Sequence, residues 1–431
     1  MKFTKVLVLA MVAVSSVATA QYGRPAHTYR ADVPVSWFTL MYDRVKADAL
    51  SPPVASRRYG IAGVALYESI NPGMAGHQSL GGQLNQLGVF TAPSPANYSW
   101  PTVANAAMAR TLSGLFASSA NSMAAITALE AQNQIGLNKA VNAATTARSI
   151  ARGQAIADTI LAWAANDGFS VINNCAYVVP TGPGFWVPTP PAFAPNPLQP
   201  CWGQLRTFAV ANGTSCAPAT PPTYSTTPGS EFYNLALEVY TTSVSLTPEQ
   251  DVIAKFWADG AGATGTPPGH WISVTSQILA ANQMSLAKAA EAYAKVGIGV
   301  ADAFICCWNA KYQHNVMRPI TYIRANIDPF WNSLLATPPF PEYTSGHSTQ
   351  SGAAAVLLTS TFGNIVFTDN THGIHNPSLN LAPRMFASFY QAAGEAAVSR
   401  LYGGIHFASG NNSGLVQGNC IGQTILTSVN F

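Results

Sequence analysis

Residues 57–69 read RRYGIAGVALYES, with apolar side chains spaced by three and four positions. This period places them on one side of an α-helix. The same spacing runs through 37–71 and returns in 103–166, an alanine-rich stretch without proline in which we expect two or three helices. Strand-like alternation is limited to short pieces such as 365–368. The sequence therefore predicts an all-α protein.

The remaining organisation follows from proline and cysteine content. Residues 173–228 hold a dozen of the thirty prolines and three of the six cysteines, which predicts a long irregular excursion. Helical patterning resumes behind it, at 231–242, from 247 onward, and at 273–313, 348–361 and 383–402. We expect four regions in the chain: a leader (1–20), an N-terminal helical region (21–172), the excursion (173–230) and a C-terminal helical region (231–431).

Composition excludes several classes of protein. Of the 431 residues, 9% are charged and 48% are hydrophobic, and the formal net charge is +3. A disordered chain and a nucleic-acid binder with a dense basic face are both excluded by this balance. After the first twenty residues no apolar run reaches the ~18 residues that would span a bilayer. We therefore expect no nucleic-acid partner and no stable membrane insertion.

Residues 1–20 have the pattern of a secretory signal peptide. Two lysines precede a short apolar stretch, and the segment ends in Ala18-Thr19-Ala20. The alternative is a membrane anchor, for which the apolar run is short. We predict a secreted or periplasmic protein whose cysteines can pair, although six cysteines allow fifteen pairings. Adjacent Cys306 and Cys307 are equally well explained as buried thiols of a helix.

Three segments of the C-terminal region carry candidate chemistry. The first, 311–319, reads KYQHNVMRP. Lys311 and Arg318 are seven residues apart, close to two helical turns, and Pro319 disfavours helix at Arg318. Two cations on one face of an otherwise buried helix require an anionic partner. The alternative is a pair of surface cations on a solvated turn.

The second segment, 341–347, reads PEYTSGH and opens an apolar helix. Free backbone N–H groups at a helix start beside Gly346 form an anion site. Ser345 adds a hydroxyl and His347 a titratable imidazole. Ordinary helix capping explains the same residues.

The third segment, 399–406, reads SRLYGGIH. Its glycine pair predicts a helix end that turns Arg400 and His406 toward a common point, although a core histidine is an alternative for His406. Charged residues are scarce in this chain, and three buried cations without an anion would be prohibitively costly. The three segments together predict a pocket for a tetrahedral oxyanion carrying two or three negative charges.

The order Lys-x6-Arg-Pro, Ser-Gly-His, Ser-Arg-x5-His resembles the signature shared by vanadium-dependent haloperoxidases and acid phosphatases of the type 2 phosphatidic-acid-phosphatase superfamily. The haloperoxidase branch is the more similar one. Four further stretches support it: 257–260 (WADG), 266–271 (TPPGHW), 301–311 (ADAFICCWNAK) and 403–407 (GGIHF). The resemblance implies two packed helical bundles with the cofactor site in the second.

By this resemblance the cofactor is vanadate, and its oxygens are held by Lys311, Arg318, Ser345, the Gly346 N–H and Arg400. The resemblance implies that His406 binds vanadium and that His347 is the acid–base residue. It also implies that Lys311 polarises the bound oxidant. The substrates would be hydrogen peroxide and a halide, and the oxidised halide would then react with small organic acceptors.

The sequence indicates which halide is preferred less clearly than it indicates the cofactor. Phe340 lies seven residues before His347, where bromide-selective relatives often carry histidine and chloride-oxidising ones phenylalanine. The resemblance therefore favours a pocket that tolerates chloride. His270 and His314 are further candidates for the halide pocket, and a structural role is equally open for each.

Two positions depart from the family pattern. Thr344 replaces the usual proline before Ser-Gly-His, and Gly410 stands where an aspartate normally follows the last histidine by four residues. A histidine ligand needs a partner that fixes its tautomer. Asn411, Asn412 or a backbone carbonyl is the expected substitute, and weaker cofactor binding is the expected cost.

Two other functions use the same residues. A secreted acid phosphatase would employ His406 as nucleophile and His347 as the acid for the leaving group. A non-catalytic oxyanion-binding protein would keep only the shape of the pocket.

Overall fold

The computed structural model describes residues 22–172 and 175–431, so the predicted signal peptide lies outside the described residues. The fold is all-α, as predicted. In chain order the helices are α1 (Asp32–Ala47), α2 (Pro52–Ile70), α3 (Trp100–Leu115), α4 (Ala120–Leu137), α5 (Ala143–Ala165), α6 (Phe169–Ile172), α7 (Glu231–Val244), α8 (Pro248–Phe256), α9 (Thr266–Ala281), α10 (Leu286–His314), α11 (Pro319–Asn326), α12 (Gly346–Phe362), α13 (Thr371–His375), α14 (Phe389–Tyr402) and α15 (Ala408–Ser428).

The predicted helices at 103–166 are confirmed as α3, α4 and α5. The stretch predicted at 37–71 is divided into α1 and α2, because α2 begins at Pro52 and the extended Ser51 precedes it. The stretch at 273–313 is likewise two helices, α9 and α10. Ser285 breaks the stretch because it caps α10, its hydroxyl accepting a hydrogen bond from Lys288 N at 3.2 Å.

The start of one helix was predicted too early in the sequence. Residues 384–386 form a strand, β2 (Arg384–Phe386), that pairs antiparallel with β1 (Phe367–Asp369), placing Phe386 opposite Phe367. The helix predicted at 383–402 therefore starts only at Phe389 as α14. Its N-cap is Ser388, whose hydroxyl accepts a hydrogen bond from Gln391 N at 3.1 Å.

The 29-residue helix α10 lies at the centre of the core and packs against α2 and α12. Glycines permit the close approach of α2. A Cβ atom on Gly63 would lie 2.5 Å from the carbonyl oxygen of Tyr293, and one on Gly297 would lie 2.7 Å from that of Tyr59. The buried cluster around these helices extends from Tyr22 to Val429, so α10 carries its functional end on a rigid support.

The excursion is irregular in its described part, apart from a short 3₁₀ turn at Trp202–Gln204. Disulfides hold it at two places: Cys175 pairs with Cys201, and Cys216 pairs with Cys420 of α15. Cys306 and Cys307 are free and buried. Among the described helices, none combines the length and the apolar character required to cross a membrane.

Candidate functional site

The first segment ends α10 and turns into the site. Lys311 lies in the last turn of α10, and Asn315 ends the helix in the left-handed conformation at φ 51°. Arg318 is extended and precedes Pro319, the first residue of α11. The prediction that Lys311 and Arg318 share one face of a single helix is therefore wrong, because the helix stops before Arg318. The proline still acts as expected and frees Arg318 to turn inward.

Both cations are fully buried and bind backbone carbonyls. Lys311 Nζ donates to the carbonyl oxygens of Pro341 and Glu342, each at 2.9 Å. Arg318 Nε donates to the carbonyl oxygen of Phe340 at 2.8 Å, and its Nη1 donates to that of Ile405 at 2.8 Å. Carbonyl dipoles hold these side chains in place without neutralising their charge. An additional anion is still required.

The second segment begins α12. Ser345 is its N-cap, and the Ser345 backbone N–H donates to the carbonyl oxygen of Gly410 at 3.0 Å. The N–H groups of Gly346 and His347 have no acceptor within the helix and are available to an anion, whereas that of Ser348 donates to the Ser345 hydroxyl at 3.4 Å. His347 keeps partial contact with solvent, while its Nε2 is buried and has no hydrogen-bond partner.

The third segment ends α14 and delivers Arg400 and His406. The helix stops at Tyr402, as the glycine pair predicted, and Gly404 adopts φ 74°, which favours glycine. Arg400 Nη1 donates to the carbonyl oxygen of Trp257 at 2.8 Å. His406 Nε2 lies 3.0 Å from Arg318 Nη1. This contact joins the first and third segments in one buried site.

The tautomer of His406 follows from its two contacts. An arginine only donates, so Nε2 accepts from Arg318 and the ring proton lies on Nδ1. His406 Nδ1 then donates to Glu342 Oε1 at 2.7 Å, and the same oxygen accepts from Phe407 N at 3.2 Å. Sequence reasoning missed Glu342, although it belongs to the quoted second segment.

The expected substitutes for the missing aspartate are not the ones found. Both polar atoms of the Asn411 side chain are buried without a partner, and Asn412 is exposed. Glu342 instead occupies the space beside Gly410. A Cβ atom on Gly410 would overlap Glu342 Oε1 and lie 2.8 Å from its Cδ. The departure at position 410 therefore does not leave His406 without a carboxylate partner.

Burial lowers the pKa of every cation in the site, and the nearby carboxyl groups of Glu342 and Asp259 offset this only in part. Burial lowers the pKa of Lys311 to about 7, that of Arg318 to about 10 and that of Arg400 to about 9. Arg318 contributes to the lowering at both Lys311 and Arg400, so the cations lie close enough to repel one another. A buried negative guest would reverse these shifts.

The histidines are neutral in this environment. Burial holds the pKa of His347 well below its usual range, and Arg400 adds to the effect. Burial lowers the pKa of His406 in the same direction, assisted by Arg318 and Lys311. A neutral His406 keeps a lone pair on Nε2, which accepts from Arg318 in this structure, and a neutral His347 can accept a proton.

Unpaired buried groups test whether an oxyanion fits here. Arg318 Nη2, Arg400 Nε and His347 Nε2 are all buried and have no hydrogen-bond partner. Buried polar groups without partners are rare in proteins, and two of these three are cationic donors. The donor set fits a small tetrahedral oxyanion such as vanadate or phosphate.

The three candidates for the halide pocket lie in different surroundings. The Phe340 ring lies 5.1 Å from Lys311 Nζ and 4.8 Å from the Arg318 guanidinium carbon, so it forms a wall of the cationic site. His314 ends α10 and packs edge-on against Tyr343. His270 lies between two carboxylates: Nδ1 is 2.8 Å from Asp259 and Nε2 is 2.7 Å from Asp369. It has no free nitrogen for a halide.

Asp259, His270 and His372 form a compact group whose potential ligand atoms lie within 4.8 Å of one another. Hydrogen bonds already engage it, because His372 Nε2 contacts the carbonyl oxygen of Phe256 at 2.6 Å. Burial opposes the charge of His270, but Asp259 and Asp369 outweigh it and raise the pKa to about 10. The group is a buried ion network beside the oxyanion site rather than a second place for metal chemistry.

The C-terminal part of the chain is similar in sequence to a known family and to one of its curated members. Residues 291–431 match a family model described as the VCPO second helical-bundle domain. Over 141 residues the chain is 30% identical to vanadium chloroperoxidase of Curvularia inaequalis. That match covers 27% of this chain and 23% of the fungal protein, so the chain spans about a quarter of its curated relative.

Solved structures extend the match along the whole fold. The chain superposes on the first bacterial vanadium-dependent iodoperoxidase with a TM-score of 0.84 and 33% identity, covering 93% of this chain and 97% of the other. A holo-type bacterial vanadium-dependent chloroperoxidase shares the fold, with a TM-score of 0.62 and 15% identity over 88% of this chain and 93% of the other.

Proposed function

Because this chain belongs to the vanadium-dependent haloperoxidase family, we propose that it oxidises a halide with hydrogen peroxide and releases an oxidant at the level of a hypohalous acid. Small organic acceptors would then be halogenated. The observation that carries the proposal is the contact between Arg318 Nη1 and His406 Nε2. It places a lone pair suited to vanadium beside a cationic donor suited to the cofactor's oxygens.

Three cations and one helix start would hold vanadate. Lys311, Arg318 and Arg400 supply positive charge from three segments, and Ser345 with the Gly346 N–H supplies neutral donors. Bound vanadate would supply a Lewis acid that activates the peroxide without changing its own oxidation state. Arg318 Nη2 and Arg400 Nε are buried without a partner and could bind the cofactor's oxygens directly, whereas Arg318 Nη1 would have to release His406 Nε2 before that lone pair could bind vanadium.

We assign the proton transfers of the reaction to His347. Its imidazole is neutral, its Nε2 has no partner, and the residue contacts solvent. Nε2 can therefore take the proton that hydrogen peroxide gives up on entering the site and later return it to a departing oxygen. The nearby Arg400 disfavours a lasting positive charge on His347, so the proton is released readily.

The halide would approach across Phe340. This ring covers Lys311 and Arg318 and also packs against Trp308, with ring centroids 4.9 Å apart. An apolar wall beside buried cations favours an anion that has already lost its water. We propose that the pocket tolerates chloride as well as bromide and iodide.

We further propose that the protein is exported, into the medium or the periplasm. The pattern of 1–20 and the two disulfides support this, since stable disulfides are typical of oxidising compartments.

A direct assay tests the proposed activity. Vanadate-free protein would be mixed with hydrogen peroxide and bromide, and bromination of a dye would be followed with and without added vanadate. We expect turnover only with vanadate. Absence of vanadate-dependent halogenation with chloride, bromide and iodide alike would overturn the proposal.

A phosphatase remains the second candidate because Glu342 gives His406 the carboxylate partner that a histidine nucleophile uses. The same preparation would be assayed with a phosphate monoester. Turnover that vanadate inhibits, without any peroxide-dependent halogenation, would favour this function.

A further inference from the structure

We propose that Glu342 is the positioning residue of the vanadate site: its carboxylate holds the His406 ring so that Nε2 faces the cofactor. The inference rests on the proposed function for its ligand. It assigns to the second segment the task that relatives are expected to give to an aspartate at position 410.

The contacts of Glu342 reach both other segments. Its Oε1 accepts from His406 Nδ1 at 2.7 Å and from Phe407 N at 3.2 Å, which fixes the carboxylate on two sides. Its carbonyl oxygen accepts from Lys311 Nζ, and its N–H donates to the carbonyl oxygen of Val316, each at 2.9 Å. A shift of Glu342 would therefore move a cofactor-binding lysine and the vanadium ligand together.

The carboxyl group of Glu342 fills the space in which a side chain at position 410 would lie. A Cβ atom on Gly410 would overlap Glu342 Oε1 and lie 2.8 Å from both Cδ and Oε2. A side chain at 410 and the carboxyl group of Glu342 are thus mutually exclusive in the present geometry. The glycine is what allows the carboxylate to reach His406 from another part of the chain.

Relocating the carboxylate gives the sharpest test. Glu342→Ala removes it, and Glu342→Ala combined with Gly410→Asp returns it from the other side of the vacated space. Glu342→Ala combined with Gly410→Ala matches the second variant in backbone but lacks the acid. Glu238→Ala, at an exposed glutamate of α7, is the control for loss of an acidic residue.

Two measurements are required. The first is the ¹⁵N chemical shift of the His406 ring nitrogens in vanadate-free protein, which reports the tautomer. The second is the dissociation constant for vanadate from titration calorimetry. We expect Glu342→Ala to shift the Nδ1 resonance, because the Nδ1–H loses its acceptor while Arg318 still donates to Nε2, and to weaken vanadate binding about 10- to 100-fold. Restoration by Gly410→Asp, but not by Gly410→Ala, would support the proposal.

Folded Glu342→Ala protein with unchanged His406 shifts and unchanged vanadate affinity would overturn it. If Glu342→Ala fails to fold, Gly410→Ala alone carries the test, because its methyl group displaces the carboxyl, and unchanged shifts would again overturn the proposal. If the unaltered protein binds no vanadate, the proposed function fails, while the His406 shifts still decide the role of Glu342.

Discussion

The indole of Trp257 lies flat on the imidazole of His270, with ring centroids 4.5 Å apart and planes 22° from parallel. The carbonyl oxygen of the same tryptophan accepts the hydrogen bond of Arg400. An imidazolium is favoured on an aromatic face, and the charge of His270 is also matched by Asp259 and Asp369. The network therefore holds Trp257 in place, and the Trp257 carbonyl oxygen in turn positions Arg400 in the candidate oxyanion site.

Replacing His270 by Asn should destabilise the protein by about 3 kcal/mol near neutral pH, since it leaves buried carboxylates unpaired. The pKa of His270 rises from 6.5 to about 10 on folding, so its contribution is complete below pH 6.5 and disappears above pH 10. The difference between the two proteins in urea unfolding should shrink over that interval. Lys255→Ala, at an exposed ion pair, should change little. A difference independent of pH would contradict this prediction.

Lys311→Met should stabilise the vanadate-free protein while abolishing vanadate binding. The pKa of Lys311 falls from 10.5 to about 7 on folding, so burial opposes folding below pH 7 and this penalty fades toward pH 10.5. We expect a gain of about 2 kcal/mol at pH 6 that vanishes near pH 10.5, measured by urea unfolding. A variant less stable than the parent at pH 6 would show that the carbonyl contacts outweigh the buried charge.

His347→Ala should separate binding from turnover. Vanadate affinity should change little, because we propose His347 as a proton acceptor rather than as a cofactor ligand. The rate of bromination should fall by about 10²- to 10⁴-fold. Calorimetry and a stopped-flow assay measure the two quantities, with the exposed His27→Ala as control. Full turnover in His347→Ala would remove His347 from the mechanism.

Phe340→His should change the choice of halide. The imidazole admits water beside Lys311 and Arg318 and so screens their charge, which slows the oxidation of chloride most because chloride is the hardest of the three halides to oxidise. We expect the chloride-to-bromide ratio of kcat/KM to fall about tenfold, equivalent to ~1.4 kcal/mol. Phe330→His, at a phenylalanine that is 87% exposed, is the matched control. An unchanged ratio would place halide selection elsewhere.

The two disulfides should differ in their contribution to stability. Cys216 and Cys420 are separated by 204 residues, whereas Cys175 and Cys201 are separated by 26. Constraint of the unfolded chain grows with the length of the enclosed loop, so replacing the longer-range pair by serines should cost about 5 kcal/mol and replacing the shorter-range pair about 3.5 kcal/mol. Urea unfolding of both double variants tests this order. Equal losses would indicate that strain or residual structure dominates.

Local signals in the sequence predicted the helical class and the approximate helix positions. The alanine-rich stretch became α3 to α5 because its period is long and uninterrupted by proline. Boundaries were less predictable where a pairing decides them: β2 delays α14 only because Phe367, on another segment, lies opposite Phe386.

For the site as well, motifs along the chain predicted some residues, and a residue that depends on a contact between distant segments was missed. Motif spacing predicted Lys311, Arg318, Arg400 and His406 as site residues, and the structure places Arg318 and His406 in contact. Glu342 was missed because 64 residues separate it from His406, and only the fold makes them partners. A signal did exist, since a missing acid at 410 implied that another carboxylate must take its place, and the chain has only 18 acidic residues.

The shared space of Glu342 and Gly410 has a consequence for how such a site can change over generations. A side chain added at 410 first would push the existing acid away, and loss of the acid first would leave the imidazole unsupported. Either order passes through an impaired ancestor, so the two positions are expected to change together or not at all. Lineages with one arrangement should therefore rarely give rise to the other.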